Sequence, residues 1–148
     1  MNVKQISVGL NNSPGTVLEM SRVLFNNNIE LRAITVAESS TFTIVRVIVD
    51  NILWASSVLK EAGFTVSLND VIAIKVPDIP EGFTKVLEVL NNAGINIDYM
   101  YEICGRRTQP GKSGIPLLVF KVDDVDAAVE AFTSAGIRVL GQGELSAV

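Results

Sequence analysis

The sequence predicts an α+β fold in which one βαββαβ unit occurs twice, in tandem and side by side. Three observations predict it. The chain repeats its own apolar pattern, strand-like and helix-like periods follow one another in the same order in both copies, and glycine, proline or short polar runs separate them. With 148 residues in total, each copy lies near the lower size limit for an independent core. We place the copies at 1–69 and 70–148.

Matching positions in the two copies are separated by one fixed number of residues before an insertion and by a larger fixed number after it. The first run of apolar or proline pairs is Ile6/Ile72, Val8/Ile74, Leu10/Val76, Pro14/Pro80, Met20/Val86, Val23/Val89, Leu24/Leu90 and Ile29/Ile95. After an insertion in the second copy, the match resumes with Val45/Leu118, Val47/Phe120, Val49/Val122, Asp50/Asp123, Ala55/Ala128, Leu59/Phe132, Ala62/Ala135 and Gly63/Gly136. A duplicated unit indicates a pseudo-symmetric pair, so we expect a ligand site at the joint between the copies.

The first copy opens with a strand and a helix. Lys4–Leu10 alternates apolar and polar residues, which is the period of a half-buried strand. The polar turn that follows leads to Pro14, whose preset backbone angle suits the first turn of a helix that Asn12 or Ser13 can cap. The apolar stripe of this helix consists of Val17, Met20, Val23 and Leu24.

A hairpin and a second helix complete the first copy. Leu31–Ala37 and Thr43–Val49 are predicted strands joined by a short polar connection. Gly63 ends the next helix and a last strand follows. The apolar side of this helix consists of Ile52, Ala55, Leu59 and Ala62.

The second copy shows the same order. Its first helix ends at Gly94, Ile97–Ile103 and Leu117–Val122 correspond to the hairpin, and Gly136 ends its second helix. The two apolar stripes consist of Phe83, Val86, Leu87 and Leu90, and of Val125, Ala128, Val129 and Phe132. The order βαββαβ is the ferredoxin-like arrangement, in which the helices cover one face of an antiparallel sheet.

The opposite face of the predicted sheet is expected to be open. Ile44, Ile48, Leu117 and Val119 alternate with the inward-facing residues and make this face partly apolar. Such a face favours burial against a second chain, so we expect a homodimer.

Composition limits the class of protein. The formal net charge of −4 argues against nucleic-acid binding. No apolar run approaches the ~20 residues of a membrane-spanning helix, and residues 1–15 lack the basic start and apolar stretch of an export signal. We expect a soluble, cytoplasmic protein that contacts neither nucleic acid nor a membrane.

Residues suited to catalysis or metal binding are scarce. The sequence has no histidine, the commonest general base and metal ligand. Cys104 has no imidazole to deprotonate it and is expected to fill space at the end of a strand. Asp123, Asp124 and Asp126 lie where a helix begins. We expect them to stabilise the amino terminus of this helix and not to bind magnesium. We predict no catalytic residue, no cofactor and no metal site.

Gly105–Ser113 imitates a phosphate-binding loop. It has one residue too many between its glycines, and it precedes a strand instead of the helix that receives the phosphates. We expect a solvated hairpin tip, on which Arg106, Arg107 and Lys112 remain candidates for clamping an anionic group of a nearby ligand. Gly141–Gly143 precedes no predicted helix and is expected to be a turn or tail.

Motifs in both copies resemble the ACT domain. The pattern of that family is an Asp or Asn, one residue, Pro-Gly, a helix, and then Gly-Ile/Val-Asn-Ile. The first copy has Asn12–Gly15 followed by Asn28–Leu31, and the second has Asp78–Glu81 followed by Ala93–Ile97. The chain therefore resembles a stand-alone tandem ACT protein over nearly its whole length.

The resemblance implies a regulatory module that binds an amino acid where two ACT units pair through their second strands. The helix start offers free amides and a positive dipole end to the carboxylate of the ligand, while the strand start of the other unit meets its amino group. The residues implied for ligand binding are Asn11, Asn12, Ser13, Pro14, Gly15, Thr16, Asn96, Ile97 and Asp98.

The two joint sites are expected to be unequal. One combines Asn12 with Asn96 and an intact Pro-Gly turn, whereas the other combines Asp78 with Glu30. Carboxylates repel a ligand carboxylate, so we expect the first site alone to bind an amino acid. Alternatively, Asn12 caps the helix and Asn96 merely starts a strand. Tyr99–Tyr101 near the joint suit an apolar or aromatic ligand side chain, or pack across the pseudo-dyad.

The predicted function is that of a non-catalytic sensor or regulator that binds a small molecule. Its ligand alters contacts with a separate metabolic enzyme or regulator, or with another copy of the chain. The alternative is a ligand-free assembly module that pairs through sheet edges and the open face. A small α+β enzyme is the third interpretation, disfavoured because histidine and a convergent acid/base pair are lacking.

Overall fold

A computed structural model describes residues 2–39, 41–104 and 116–147. The chain divides into two compact units, the amino-terminal unit (Lys4–Asn69) and the carboxyl-terminal unit (Asp70–Val148 with Met1–Val3). The predicted hairpin tip, Gly105–Ser113 with its three basic residues, lies outside the described residues, as does the side chain of Cys104.

The amino-terminal unit has the predicted order of elements. They are β1 (Val3–Asn11), α1 (Thr16–Asn26), β2 (Leu31–Glu38), β3 (Phe42–Val49), α2 (Ile52–Glu61) and the first part of β4 (Thr65–Lys75). β3 pairs antiparallel with both β1 and β2, and β4 is the neighbour of β1. The strand order is therefore β2-β3-β1-β4, with β2 at an edge.

The carboxyl-terminal unit repeats this order and adds a short helix. Its elements are the rest of β4, α3 (Gly82–Asn92), β5 (Ile97–Cys104), β6 (Pro116–Val122), α4 (Val125–Ser134), β7 (Val139–Leu140) and α5 (Gln142–Ala147). β4 pairs antiparallel with β6 and β7, and β6 pairs antiparallel with β5. The predicted α+β class with ferredoxin-like units is confirmed. No helix in the described ranges is long and apolar enough to cross a membrane.

Helix ends follow the sequence signals. Gly63, Gly94 and Gly136 have φ angles of 92°, 70° and 75°, the left-handed conformation in which glycine ends a helix. Asp124 caps α4, because its side chain accepts a hydrogen bond from the Ala127 N–H at 3.0 Å. The expected role is confirmed for Asp124 and is consistent with Asp126 in the first turn, whereas Asp123 accepts a hydrogen bond from the Asn96 N–H instead.

Each unit has its own apolar core between its helices and its sheet. In the amino-terminal unit, Met20 and Leu24 of α1 belong to one buried cluster with Val47 of β3. In the carboxyl-terminal unit, the rings of Phe120 on β6 and Phe132 on α4 lie 6.0 Å apart between centroids. The apolar stripes predicted for the helices therefore face the sheets, except at Phe83 and at Ala62, which is exposed because it follows the end of α2.

One residue of the predicted stripe on α3 is exposed. Phe83 is 48% exposed, because the buried side of α3 runs through Gly82, Val86 and Leu90 and leaves Phe83 at its margin. Its inclusion in the core was wrong.

The sheet face that was predicted to be open is covered. Ile48, Leu117 and Val119 are 0%, 1% and 0% exposed within the single chain, and Ile44 is half-buried. The apolar residues that led us to expect a homodimer are thus already buried, and that expectation loses this support.

Gly141–Gly143 leads into α5 and is not the predicted turn or tail. Glu144 accepts hydrogen bonds from the Gly141 N–H at 3.3 Å and from the Arg138 guanidinium, and these two bonds lower the pKa of Glu144. Leu145 is 2% exposed. The prediction missed α5 because single side-chain contacts hold it, without a repeated apolar stripe.

Phe132→Ala is expected to lower the free energy of unfolding by about 3–5 kcal/mol, because it removes a fully buried aromatic side chain and leaves a cavity. Phe25, which is 79% exposed, provides the matched control. Phe25→Ala is expected to change the same quantity by less than about 0.5 kcal/mol. Urea denaturation followed by circular dichroism measures both variants, and equal losses would contradict the described core.

Acidification is expected to loosen α5 before the rest of the chain. The pKa of Glu144 is lowered in the folded state, so its stabilising contribution is present above its unfolded pKa and is lost as the pH falls through the folded value. Hydrogen-exchange protection of the Leu145 amide should therefore decrease below about pH 4.5. In Glu144→Gln the protection should be low already at neutral pH. Unchanged protection in that variant would remove Glu144 as the anchor of α5.

Candidate functional site

The loop between β1 and α1 is held by Thr16. The Thr16 Oγ1 hydroxyl is placed to donate to two carbonyl oxygens, that of Asn11 at 3.0 Å and that of Ser13 at 3.1 Å. The Ser13 N–H also donates to the Asn11 carbonyl, at 2.9 Å. One hydroxyl thus ties the end of β1 to the start of α1.

Gly15 is the residue that caps α1. Its φ is 86°, and α1 begins at Thr16, slightly later than predicted. No side chain caps the helix, so the capping role considered for Asn12 and Ser13 was wrong. The left-handed turn at Gly15 leads the backbone into the helix without placing the preceding polar side chains over its first amides. Asn12 is exposed and makes no hydrogen bond to any residue that the structure describes.

The first turn of α1 therefore keeps hydrogen-bond donors for a ligand. The first intrahelical bond runs from the Glu19 N–H to the Gly15 carbonyl at 2.9 Å. The amides of Thr16, Val17 and Leu18 precede it and have no acceptor within the helix. They lie at the positive end of the helix dipole, where an anionic group is stabilised.

The start of β5 presents an amide and a carboxylate that are linked to each other. The Asn96 Nδ2 donates to Asp98 Oδ1 at 3.2 Å, and the Asn96 N–H donates to Asp123 Oδ1 at 3.1 Å. Lys121 Nζ lies 3.5 Å from the other Asp98 oxygen. Because its Nδ2 is engaged, Asn96 offers Oδ1 as an acceptor, which suits a donor such as an ammonium group.

A β-bulge occurs at this strand start and at its counterpart in the first copy. The register of β5 on β6 shifts around Asp98, and the register of β2 on β3 shifts around Arg32. Bulges redirect a side chain and are common beside functional sites. The repeat thus preserves the bulge and changes the residue on it.

The two bulges carry opposite charges. The Arg32 Nε donates to Asp50 Oδ1 at 2.8 Å, and the Arg32 Nη1 lies 3.4 Å from Glu30 Oε1. The hydrogen bond to Asp50 raises the pKa of Arg32. Because Glu30 faces a guanidinium, its charge is partly neutralised. The repulsion expected for the pairing of Asp78 with Glu30 then comes chiefly from Asp78.

The second copy builds its corresponding loop differently. Gly82 stands at the position of Thr16, and a Cβ atom added to it would lie 2.2 Å from the Pro77 carbonyl oxygen. A threonine cannot occupy that place unless the backbone moves. The hydroxyl that ties the first loop together therefore has no equivalent in the second.

A cleft opens beside the β1–α1 loop within the amino-terminal unit. Its volume is about 680 Å³, which is in the range of small-molecule sites. It lies between the end of β1 (Gly9–Asn11), the first turns of α1 (Thr16, Glu19 and Val23), Phe42 at the start of β3, and the α2–β4 turn (Ala62–Thr65). We call it the helix–sheet cleft.

The predicted ligand-binding residues are distributed over several places. Asn11 and Thr16 line the helix–sheet cleft. Ser13–Gly15 line an adjoining depression of about 420 Å³, which shares Thr16 and Glu19 with the cleft, and Asn12 lines neither. Asn96–Asp98 belong to the carboxyl-terminal unit, where they form the start of β5.

Four cleft residues had no predicted role, namely Glu19, Phe42, Phe64 and Thr65. Glu19 stands on the polar side of α1, Phe42 opens a strand, and Phe64 follows a glycine that ends a helix, so each has an ordinary structural role. The one sequence signal was Gly9, which interrupts a strand with a residue that has no side chain. Such a glycine marks a place that another group can approach.

Comparison with known families decides the assignment. The sequence profile of the family described as "ACT domain pair" matches residues 1–148. The chain belongs to this family. The resemblance read from the two motifs is confirmed, and we propose 1–69 and 70–148 as the limits of the two ACT domains. Among curated proteins, none matches this chain significantly.

Solved structures place the ACT domain pair among similar folds. The crystal structure of protein BT0572 from Bacteroides thetaiotaomicron has a TM-score of 0.87 and 31% identity, over 98% of this chain and 96% of that chain. The regulatory subunits of aspartate kinase from Thermus thermophilus, in its ligand-free form, and from Thermus flavus share the fold. Their TM-scores are 0.59 and 0.60, at 17% and 18% identity, over 89% and 91% of this chain and 91% and 93% of theirs.

Thr16→Val is expected to loosen the β1–α1 loop of this ACT domain pair. The variant keeps the shape of the side chain but loses the hydroxyl, at a cost of about 1 kcal/mol in the free energy of unfolding. Hydrogen exchange at the Ser13 amide should become faster. Thr84→Val, at an exposed position of α3, is the control and should leave that exchange unchanged. Equal protection of Ser13 in wild type and Thr16→Val would show that the hydroxyl does not hold the loop.

Proposed function

We propose that this ACT domain pair is a non-catalytic regulator that senses a small molecule, and that this molecule is an amino acid. The observation that carries the proposal is the start of α1, where uncapped amides follow Gly15 and Thr16 holds the loop. A site formed in advance accepts a carboxylate without a cost for ordering it. The aspartate kinase regulatory subunits that share the fold are a precedent for a regulatory role.

The amino acid is proposed to bind at an interface between two ACT domains, as the family resemblance implies. Its carboxylate meets the loop Asn11–Thr16, and its amino group meets Asn96–Asp98. The Asn96 Oδ1 and the Asp98 carboxylate, which Lys121 partly neutralises, can both accept hydrogen bonds from an ammonium group. On the corresponding bulge, Arg32 has only donors, and these already face Asp50 and Glu30. This difference supports the pairing of Asn12 with Asn96.

The side chain of the ligand is proposed to be apolar or aromatic. Tyr99 and Met100 follow the Asp98 bulge on β5 and are half-buried. Aromatic and thioether groups pack well against such ligands. A screen that favoured aspartate or lysine would reject this preference.

The signal is proposed to pass to another protein. The chain has no histidine, and we propose no catalytic step, so ligand binding must act through differential affinity for a partner. The proposed partners are a second copy of this chain, in a homodimer, and a separate metabolic enzyme or regulator. A monomeric mass by light scattering, with and without ligand, would remove the homodimer.

A ligand-free assembly module is the second candidate, and one observation favours it. Ile34 and Val36 on the edge strand β2 are 45% and 52% exposed, and among the described strands β2 pairs with β3 alone. An apolar sheet edge of this kind can add a strand from another molecule.

The sensor proposal predicts stabilisation by a single class of amino acid. At a concentration of about 100 times its dissociation constant, the ligand should add about 2.7 kcal/mol, which raises Tm by roughly 5 °C or more. Asn12→Ala and Asn96→Ala should each weaken binding about tenfold. Asn26→Ala, at an exposed position near the end of α1, should not.

Thermal unfolding across the common amino acids, followed by calorimetry, provides these measurements. Stabilisation by no amino acid would favour the assembly module instead. Two equal sites per chain would contradict the proposed inequality between the Asn12/Asn96 and Asp78/Glu30 pairings.

A further inference from the structure

The helix–sheet cleft differs in chemistry from the proposed amino-acid site. It lies within the amino-terminal unit and contains neither Asn12 nor Asn96. Its lining is mixed: polar groups contribute slightly more of it than apolar ones, and the apolar side chains are Leu10, Val23, Phe42 and Phe64. A ligand that fits this cleft therefore combines a polar group with an apolar body.

Glu19 gives the cleft its charge. It is the one ionisable side chain that lines the cleft in the described part of the chain, and it forms no ion pair there. Arg22, one turn later on α1, does not line the cleft, although it lines the depression beside Ser13–Gly15 together with Glu19. A carboxylate that forms no ion pair, in a cleft whose described lining holds no cation, is complementary to a positively charged ligand group.

We propose that the helix–sheet cleft binds a small organic cation, namely an amine with an aromatic or aliphatic body. The ammonium group pairs with the Glu19 carboxylate and also donates to the oxygens of Asn11 or Thr65, while the body of the ligand packs on Phe42 and Phe64. A cation beside aromatic rings gains further attraction from their electron-rich faces. An anion of the same shape should bind the cleft more weakly than the amine, because it would lie beside Glu19 without an ion pair.

The second copy lacks the groups that this ligand needs. By the spacing of the repeat, Lys85 stands at the position of Glu19 and Arg138 at the position of Thr65. Both substitutions replace a favourable or neutral group by a positive charge, which repels an ammonium group. The proposal therefore gives one amine site per chain.

Gly9 keeps the base of the cleft open and provides a direct way to close it. A Cβ atom added to Gly9 would lie 3.9 Å from the Thr65 Cβ, an ordinary contact, and its φ lies outside the left-handed region. A larger side chain at this position is thus compatible with the backbone, and it would lie beside Thr65, which also lines the cleft. Gly9→Leu should block the ligand without unfolding the unit.

The test uses two probes of the same shape and opposite charge. Phenethylamine and 3-phenylpropionate are titrated into the isotopically labelled full chain, and amide chemical shifts are followed by NMR. We expect phenethylamine to shift the amides of Gly9, Gly63 and Thr65 and to saturate, and 3-phenylpropionate to leave them unchanged. Saturation by both probes, or by neither at millimolar concentration, would overturn the proposal.

Variants locate the binding to named residues. Glu19→Gln should weaken phenethylamine binding about tenfold, as expected for one charge-assisted hydrogen bond at an open site. Glu88→Gln removes a carboxylate from an exposed position of α3 and should have no effect. Binding that is equally strong in Glu19→Gln and in wild type would overturn the assignment of the charge.

The size-changing variant has its own control. Gly9→Leu should abolish binding, with circular dichroism as the check of folding. If this variant is unfolded, Gly9→Ala should still weaken binding, because its methyl group occupies the base of the cleft. Full binding in a folded Gly9→Leu or in Gly9→Ala would overturn the location.

The amine site and the amino-acid sensor can be rejected independently of each other. Asn12→Ala should leave phenethylamine binding unchanged, because Asn12 does not line the cleft. Amine binding without any response to amino acids would support the cleft and reject the sensor. Loss of amine binding in Asn12→Ala would mean that the two sites are one, and would overturn the cleft as a distinct site.

Discussion

The structure depends on one layer of apolar side chains between the helices and the sheet of each unit. Met20 and Leu24 in one unit, and Phe120 with Phe132 in the other, show how few large residues make up this layer. Units of this size have small apolar cores. A polar substitution inside this layer therefore lowers the free energy of unfolding by several kilocalories per mole. Differences between the copies are therefore concentrated where the strands and helices end. Loops on a rigid frame are also where binding residues are usually found.

Three pairs of equivalent positions show how far the copies have diverged around a common frame. Thr16 ties a loop in the first copy, where the second has a glycine packed on the backbone. Arg32 stands on one bulge and Asp98 on the other. Glu19 lines a cleft, whereas its counterpart in the second copy is Lys85. None of these changes alters a large apolar side chain of either core, so the fold tolerates them while the chemistry at the surface is reversed.

Local patterns made most of the fold predictable from the sequence. Strand alternation, helical stripes and the glycines at helix ends depend on neighbouring residues, and Gly63, Gly94 and Gly136 behave as predicted. Features that depend on how the chain folds in three dimensions could not be predicted from the sequence. Gly15, and not the predicted Asn12, is the capping residue of α1, because a left-handed turn leads into the helix.

The site was less predictable, because it combines residues that are distant in the sequence. The loop itself carries a motif, so its position was predicted. The walls of the helix–sheet cleft come from β1, α1, β3 and the α2–β4 turn, and no spacing in the sequence relates them. The bulges at Arg32 and Asp98 also could not be predicted from the sequence, because the apolar alternation on either side of them still resembles that of a regular strand. Coverage of the second sheet face, which buries Leu117, is likewise a tertiary property.

Magnitudes explain why the α1 start cannot by itself make a sensor. A charge at a helix amino terminus gains about 0.3–1 kcal/mol at the surface, and each hydrogen bond to a charged group adds about 1.5–3 kcal/mol. A micromolar dissociation constant requires about 8 kcal/mol after the cost of association has been met. The loop after Gly15 supplies only part of this. In the proposed site, acceptors for the amino group, such as Asn96 and Asp98, and buried area for the side chain would supply the rest. A ligand bound in this proposed way would bind tightly only with contributions from both units, and this requirement would couple its binding to their arrangement.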